Sequence, residues 1–78
     1  MKELLEYLAR GLVHSPDQVQ ITEVQEDDGS LVLELSVAPD DYGSLIGRGG
    51  RTASALRTVI KAAAVKDQRR VFVDIVDA

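Results

Sequence analysis

Apolar residues recur at helical spacing along the first dozen positions. Leu4, Leu5, Leu8, Leu12 and Val13 share one face, while Lys2, Glu3, Glu6 and Arg10 take the other. Residues 2–13 are therefore predicted to form an amphipathic helix. Gly11 weakens it by roughly 1 kcal/mol against alanine. His14-Ser15-Pro16 ends it, because the residue before a proline avoids helical angles. The period then falls to two. Val19, Ile21 and, after a skip, Val24 predict an irregular strand over residues 18–26. Residues 31–38 alternate cleanly: Leu31, Leu33, Leu35 and Val37 face the core, and Val32, Glu34, Ser36 and Ala38 face away. Asp28-Gly29 between two strand patterns is a hairpin signal. Pro39 closes the second strand, and Asp40 or Asp41 caps a short helix through Tyr42, Leu45 and Ile46. A glycine-rich loop is expected to interrupt that helix at Gly47. A further helix runs from about Arg51 to Val65, with Ala53, Leu56, Ile60 and Ala63 as its buried stripe. Residues 66–70 connect it to a last strand over 71–76, where Val71, Val73 and Ile75 oppose Phe72, Asp74 and Val76.

The predicted order is α-β-β-α-α-β. The first two strands make an antiparallel hairpin. The last follows a helical crossover, which brings it parallel to the strand it left, on a right-handed path. The expected fold class is α+β: one domain over residues 1–78, a three-stranded mixed sheet with three helices on one face.

Net charge is −4, which taken alone argues against a nucleic-acid partner. Its distribution reverses that. Residues 1–41 carry two basic and ten acidic side chains. Residues 42–70 carry seven basic ones (Arg48, Arg51, Arg57, Lys61, Lys66, Arg69 and Arg70) against Asp67 alone; Asp74 and Asp77 follow. A basic run can be a plain solvated helix face, so the charge needs a second feature to mean more.

That feature is Leu45-Ile46-Gly47-Arg48-Gly49-Gly50-Arg51. Three glycines within four residues let a backbone come close to another molecule, with no Cβ in the way. The following N–H groups point out of a helix start, where the macrodipole favours an anion, and two arginines flank them. A phosphate is the simplest ligand for such a loop.

Ile46-Gly47-Arg48-Gly49-Gly50 resembles the I-G-x-x-G signature of KH domains, and the element order resembles their prokaryotic, type II arrangement. More narrowly, residues 38–53 are similar to the small bacterial single-KH proteins of the KhpA family, and the likeness covers essentially the whole chain. The resemblance implies a cytoplasmic RNA-binding protein and RNA chaperone. It also implies association with KhpB (Jag/EloR), a larger KH-containing partner, in control of cell elongation and wall synthesis; the avidity that a lone KH unit this small lacks separately motivates a dimer, with itself or with that partner. In a KH domain the loop clamps the backbone of about four unpaired nucleotides while their bases lie in a groove. Gly47 and Gly50 then allow the close approach, Arg48 and Gly49 hold the variable positions, and Arg48 can pair with a phosphate bidentately. Arg51 and Arg57 extend the positive track. Ile46 and Ala53 contribute to the groove wall and floor, and Lys66, Arg69 and Arg70 border it. The basic segment has no aromatic residue beyond Tyr42, so modest affinity and weak sequence preference are expected.

Three other readings compete: a turn that merely needs glycine, a nucleotide-binding enzyme, and a protein-interaction module that binds no RNA. The loop lacks the Gly-Lys-Ser/Thr end of a P-loop, and no triad or carboxylate pair accompanies it. His14, the single histidine, reads as a surface group near a helix end. With no cysteine, neither a disulfide nor a thiolate metal site is available. No enzyme activity, cofactor, metal or membrane association is therefore expected.

Overall fold

The computed structural model describes residues 1–76, apart from the side chain of Arg48; Asp77 lies outside the described residues. Helix α1 spans Lys2–Leu12, strands β1 and β2 span Gln20–Gln25 and Leu31–Ser36, helix α2 spans Tyr42–Lys66 and strand β3 spans Val71–Ile75. Short 3₁₀ turns at Pro16–Gln18 and Pro39–Asp41 lead into β1 and α2. Each opens on its proline, which presets the backbone angle and needs no hydrogen-bond donor there.

β1 and β2 pair antiparallel with Gln25 opposite Leu31, and β2 and β3 pair parallel with Leu33 opposite Val73. The sheet order is β1-β2-β3, so β3 is an edge strand. Leu31, Leu33 and Leu35 are buried on the helix-facing side with Val71 and Val73. They meet Leu5 and Ala9 of α1 and Leu45, Leu56, Ile60 and Ala64 of α2 in one apolar cluster. Alternation puts Val24, Val32 and Phe72 in one row across the opposite, open face. The skip before Val24 is thus a change of face.

The sequence places the break in the second helical segment too early. α2 continues through Gly47, and the departure from helical geometry lies at Gly49 and Gly50, with φ +74° and +73°. Two successive left-handed residues divide the run into limbs over 42–48 and 51–66, which with α1 give three helical pieces against the sheet. Helical angles are open to any glycine, so glycine spacing alone does not say where the turn falls. The buried stripe also ends on Ala64, with Ala63 half-buried, because 60 to 64 is one near-full turn. Leu12, the last residue of α1, is half-exposed.

α2 ends at a left-handed Gln68, φ 56°. The Arg69 N–H donates to the Ala64 carbonyl at 2.9 Å and the Gln68 N–H to the Val65 carbonyl at 3.0 Å. This is a Schellman cap with glutamine where glycine is usual. At the sheet's other end the Tyr42 hydroxyl accepts the Val37 N–H at 3.4 Å and donates to the Val76 carbonyl, tying the ends of β2 and β3 together.

Candidate nucleic-acid interface

The glycine turn stands clear of the rest of the molecule. Among the described residues, a Cβ built on Gly47, Gly49 or Gly50 would meet nothing within 4 Å. Two of these glycines are needed for their angles: Gly49 and Gly50 hold positive φ, which costs an L-residue about 1–2 kcal/mol. Gly47 has neither a positive φ nor a neighbour to avoid. Gly11 and Gly43 share both traits.

Ile46 precedes the turn and is 56% exposed, an apolar group facing solvent beside the glycines. Arg51 is exposed at the head of the 51–66 limb. Arg48 lies between the glycines, and its side chain is outside the described residues. Ala53 and Leu56, by contrast, are buried in the core side of the limb.

Further along, α2 passes the outer edge of β3 and leaves a groove between them. Arg57, Lys61, Val71, Phe72 and Val73 line one stretch; Lys61, Ala64, Val65, Arg69 and Arg70 continue it toward the helix end. Arg57 bridges the two walls: its Nε donates to the Val73 carbonyl at 3.3 Å. The floor is valine and alanine and the rims are cationic. Lys61 and Phe72 belong to this groove although neither stands among the sequence-predicted site residues. The i, i+4 spacing of Arg57 and Lys61 was the available signal for the lysine. Nothing local signals Phe72, whose place depends on how β3 meets α2.

The outermost cations are further away. Lys66, Arg69 and Arg70 lie at the far end of the 51–66 limb, about 22 Å along its axis from Arg51 at 1.5 Å per residue. Arg70 has partners of its own. Its guanidinium is 6.0 Å from the centroid of the Phe72 ring and 3.9 Å from Asp28 in the hairpin turn. Asp28 is well satisfied: the Ser30 hydroxyl and backbone N–H both donate to it, and with the Arg70 charge they hold its carboxyl below the usual carboxylate range. The sequence-predicted site residues therefore fall into three groups: the turn with Ile46 and Arg51, the groove with Arg57, and the distal cations, with Ala53 inside the core.

Among the described residues, no group of three or more His, Asp or Glu side chains is placed to hold a metal ion. No helix among them is long and apolar enough to cross a membrane.

The chain is similar to proteins of matching length. It is 57% identical over 76 residues to the RNA-binding protein KhpA of Clostridium acetobutylicum, covering 97% of this chain and all of that one. It is 56% identical over 78 residues to KhpA of Halalkalibacterium halodurans, covering 99% of this chain and all of the relative. It is 49% identical over 77 residues to KhpA of Streptomyces coelicolor, covering 99% and 92%. The family described as KhpA/KhpB, KH domain, matches residues 2–75, which take in the sheet, the glycine turn and the groove beside β3. By this match and by its fold, the chain belongs to the KhpA/KhpB family of KH domains.

Proposed function

We propose that this chain binds single-stranded RNA, holding the sugar-phosphate backbone at the turn Gly47-Arg48-Gly49-Gly50 and laying bases along the groove between α2 and β3. The observation that carries this is the turn itself: the left-handed Gly49 and Gly50 follow Arg48 and precede the exposed Arg51, beside the exposed Ile46, with open space around them among the described residues. A phosphate can approach such a backbone closely, with Arg48 and Arg51 around it. The groove beyond is apolar at its floor, which suits bases, and its relatives are named as RNA-binding proteins. Arg57 lies in the groove, Ile46 beside the turn, and Lys66, Arg69 and Arg70 attract the strand where it leaves. Ala53 acts from within the core by packing the limb.

The test is a titration of labelled single-stranded RNA at two salt concentrations, with the wild type, Gly47→Ala, and the double variant Gly47→Asp with Gly50→Asp. With three or four phosphates neutralised, log affinity should fall against log salt with a slope of about −2 to −3. The double variant should lose binding. Equal binding by all three proteins would remove the turn from the interface.

A second reading, partner assembly, has its own observation. Ala55, Val59 and Ala62 lie at i, i+4 and i+7 on α2 and are exposed, Val59 by 44%. A second copy, or the KH domain of the larger partner KhpB (Jag/EloR), would cover this strip and add the avidity that a small single module lacks. By the family resemblance such a complex works in the cytoplasm as an RNA chaperone in post-transcriptional control of cell elongation and wall synthesis. Light scattering of the wild type and Val59→Glu tests it: a dimer that the variant reduces to monomers supports this surface.

A further inference from the structure

Arg57 stands two helical turns beyond the glycine turn, where α2 meets the free edge of β3. In the parallel ladder the Leu31 N–H donates to the Arg70 carbonyl and the Val76 N–H donates to the Leu35 carbonyl. The even-numbered residues of β3 therefore bond β2, and the peptide groups of Val71, Val73 and Ile75 face outward from the edge. Arg57 engages one of these outward groups, the Val73 carbonyl, through Nε. A guanidinium is a rigid plane with five donors. Fixing Nε on the strand fixes the plane, and among the described residues the terminal Nη donors have no partner.

Their surroundings decide what they meet. Val71 and Val73 are buried beneath them, and Lys61 and Phe72 stand at the sides. A phosphate held there would lose its water against valine side chains, which is costly for a full charge. A flat base would bury its apolar faces and keep only its edge polar. The Nη donors form a parallel pair, which fits two neighbouring acceptors in one plane. Among unpaired bases, O6 and N7 of guanine are that pair on a broad purine; cytosine offers O2 and N3 on a smaller ring that buries less apolar face, uracil has no such edge, and adenine places a donor beside N7. We propose that Arg57, anchored on Val73, reads a guanine in the α2–β3 groove and so sets a sequence preference that the scarcity of aromatic residues would not provide. This inference rests on the RNA-binding reading above.

The test compares three RNA oligomers of one length: all-uridine, the same with a central guanine, and the same with a central 7-deazaguanine. Each is titrated at two salt concentrations against the wild type, Arg57→Gln and Arg57→Lys, with thermal unfolding of each protein recorded alongside. The wild type should prefer the guanine oligomer by roughly 5- to 100-fold, the range a bidentate arginine–guanine pair supplies. Most of that preference should vanish with 7-deazaguanine. Both variants should lose the preference, while their salt slopes stay at the wild-type value. Arg57→Lys is the informative one, since it keeps the charge and loses the fork. Three results overturn the proposal. The wild type may show no guanine preference. Arg57→Gln may weaken all three oligomers alike with a salt slope shallower by about 0.7, which makes Arg57 a phosphate contact. Or Arg57→Lys may keep the full preference. Absence of binding to any oligomer would overturn the RNA-binding reading together with this one.

Discussion

The carboxylate of Asp41, fully buried, accepts the backbone N–H of His14 at 2.8 Å, across 27 residues of sequence. Its second oxygen accepts the Ser15 N–H at 3.1 Å. The residue that opens α2 thus also closes the loop after α1, and the first limb of α2 is fastened to α1 just before the glycine turn. Replacing Asp41 by alanine leaves two N–H groups without their acceptors and should cost about 2–4 kcal/mol. Asn, with a single acceptor oxygen, should lose a smaller amount. Urea denaturation of the three proteins measures the order wild type, Asp41→Asn, Asp41→Ala; equal midpoints would mean that these bonds stabilise nothing.

The three glycines of the turn should respond differently to alanine. At Gly47, in helical geometry with open space around it, alanine should raise stability by up to about 1 kcal/mol. At Gly49 and Gly50 the left-handed backbone should make it destabilising by about 1–2 kcal/mol each. Thermal melts give the stabilities. Titration with RNA gives the other half: Gly47→Ala should bind more weakly despite being the more stable protein, a combination that packing alone does not produce.

Gln68 carries a left-handed angle that suits glycine better. Gln68→Gly should stabilise the chain by about 0.5–1 kcal/mol, with the Arg69-to-Ala64 hydrogen bond retained. Denaturant midpoints check the sign. A destabilised variant would show that the glutamine contributes more than its backbone strain costs.

The hairpin turn should be sensitive to acid. The Asp28 carboxyl is held below its ordinary range chiefly by the Ser30 hydroxyl and backbone N–H, with Arg70 adding to it. A folded-state value below the unfolded one means that the ionised form favours the native turn. Its contribution is complete above the ordinary carboxylate range and is lost as pH falls through the lowered value. A carboxyl-carbon NMR titration should find Asp28 titrating below the ordinary carboxylate range, and amide exchange at Ser30 should speed up in the same interval. Ser30→Ala should bring the Asp28 titration back toward the ordinary range.

Much of this molecule is determined by local pattern. The alternation of Leu31, Leu33 and Leu35 decides which side of β2 the helices cover, since a slip of one residue would bury Val32 and Glu34 instead. Asp28-Gly29 makes the hairpin because glycine there takes φ +89° without cost. Gly49 and Gly50, between Arg48 and Arg51, turn the chain for the same conformational reason, with φ +74° and +73°. The tertiary structure decided what depends on residues far apart in the chain. Leu45 of the first limb of α2 and Leu56 and Ile60 of the second share one core with Leu33 and Leu35, an arrangement in which Gly49 and Gly50, not Gly47, turn the chain. Asp41 meets His14 and Ser15, and Tyr42 meets Val76, across 26 to 34 residues of sequence. The groove exists because the crossover lays α2 along the unpaired edge of β3, which brings Arg57 to Val73 and sets Lys61 beside Phe72. Local sequence specifies a residue's conformation and the face it turns to the core. Its neighbour on another element is specified only by the packing of the whole chain.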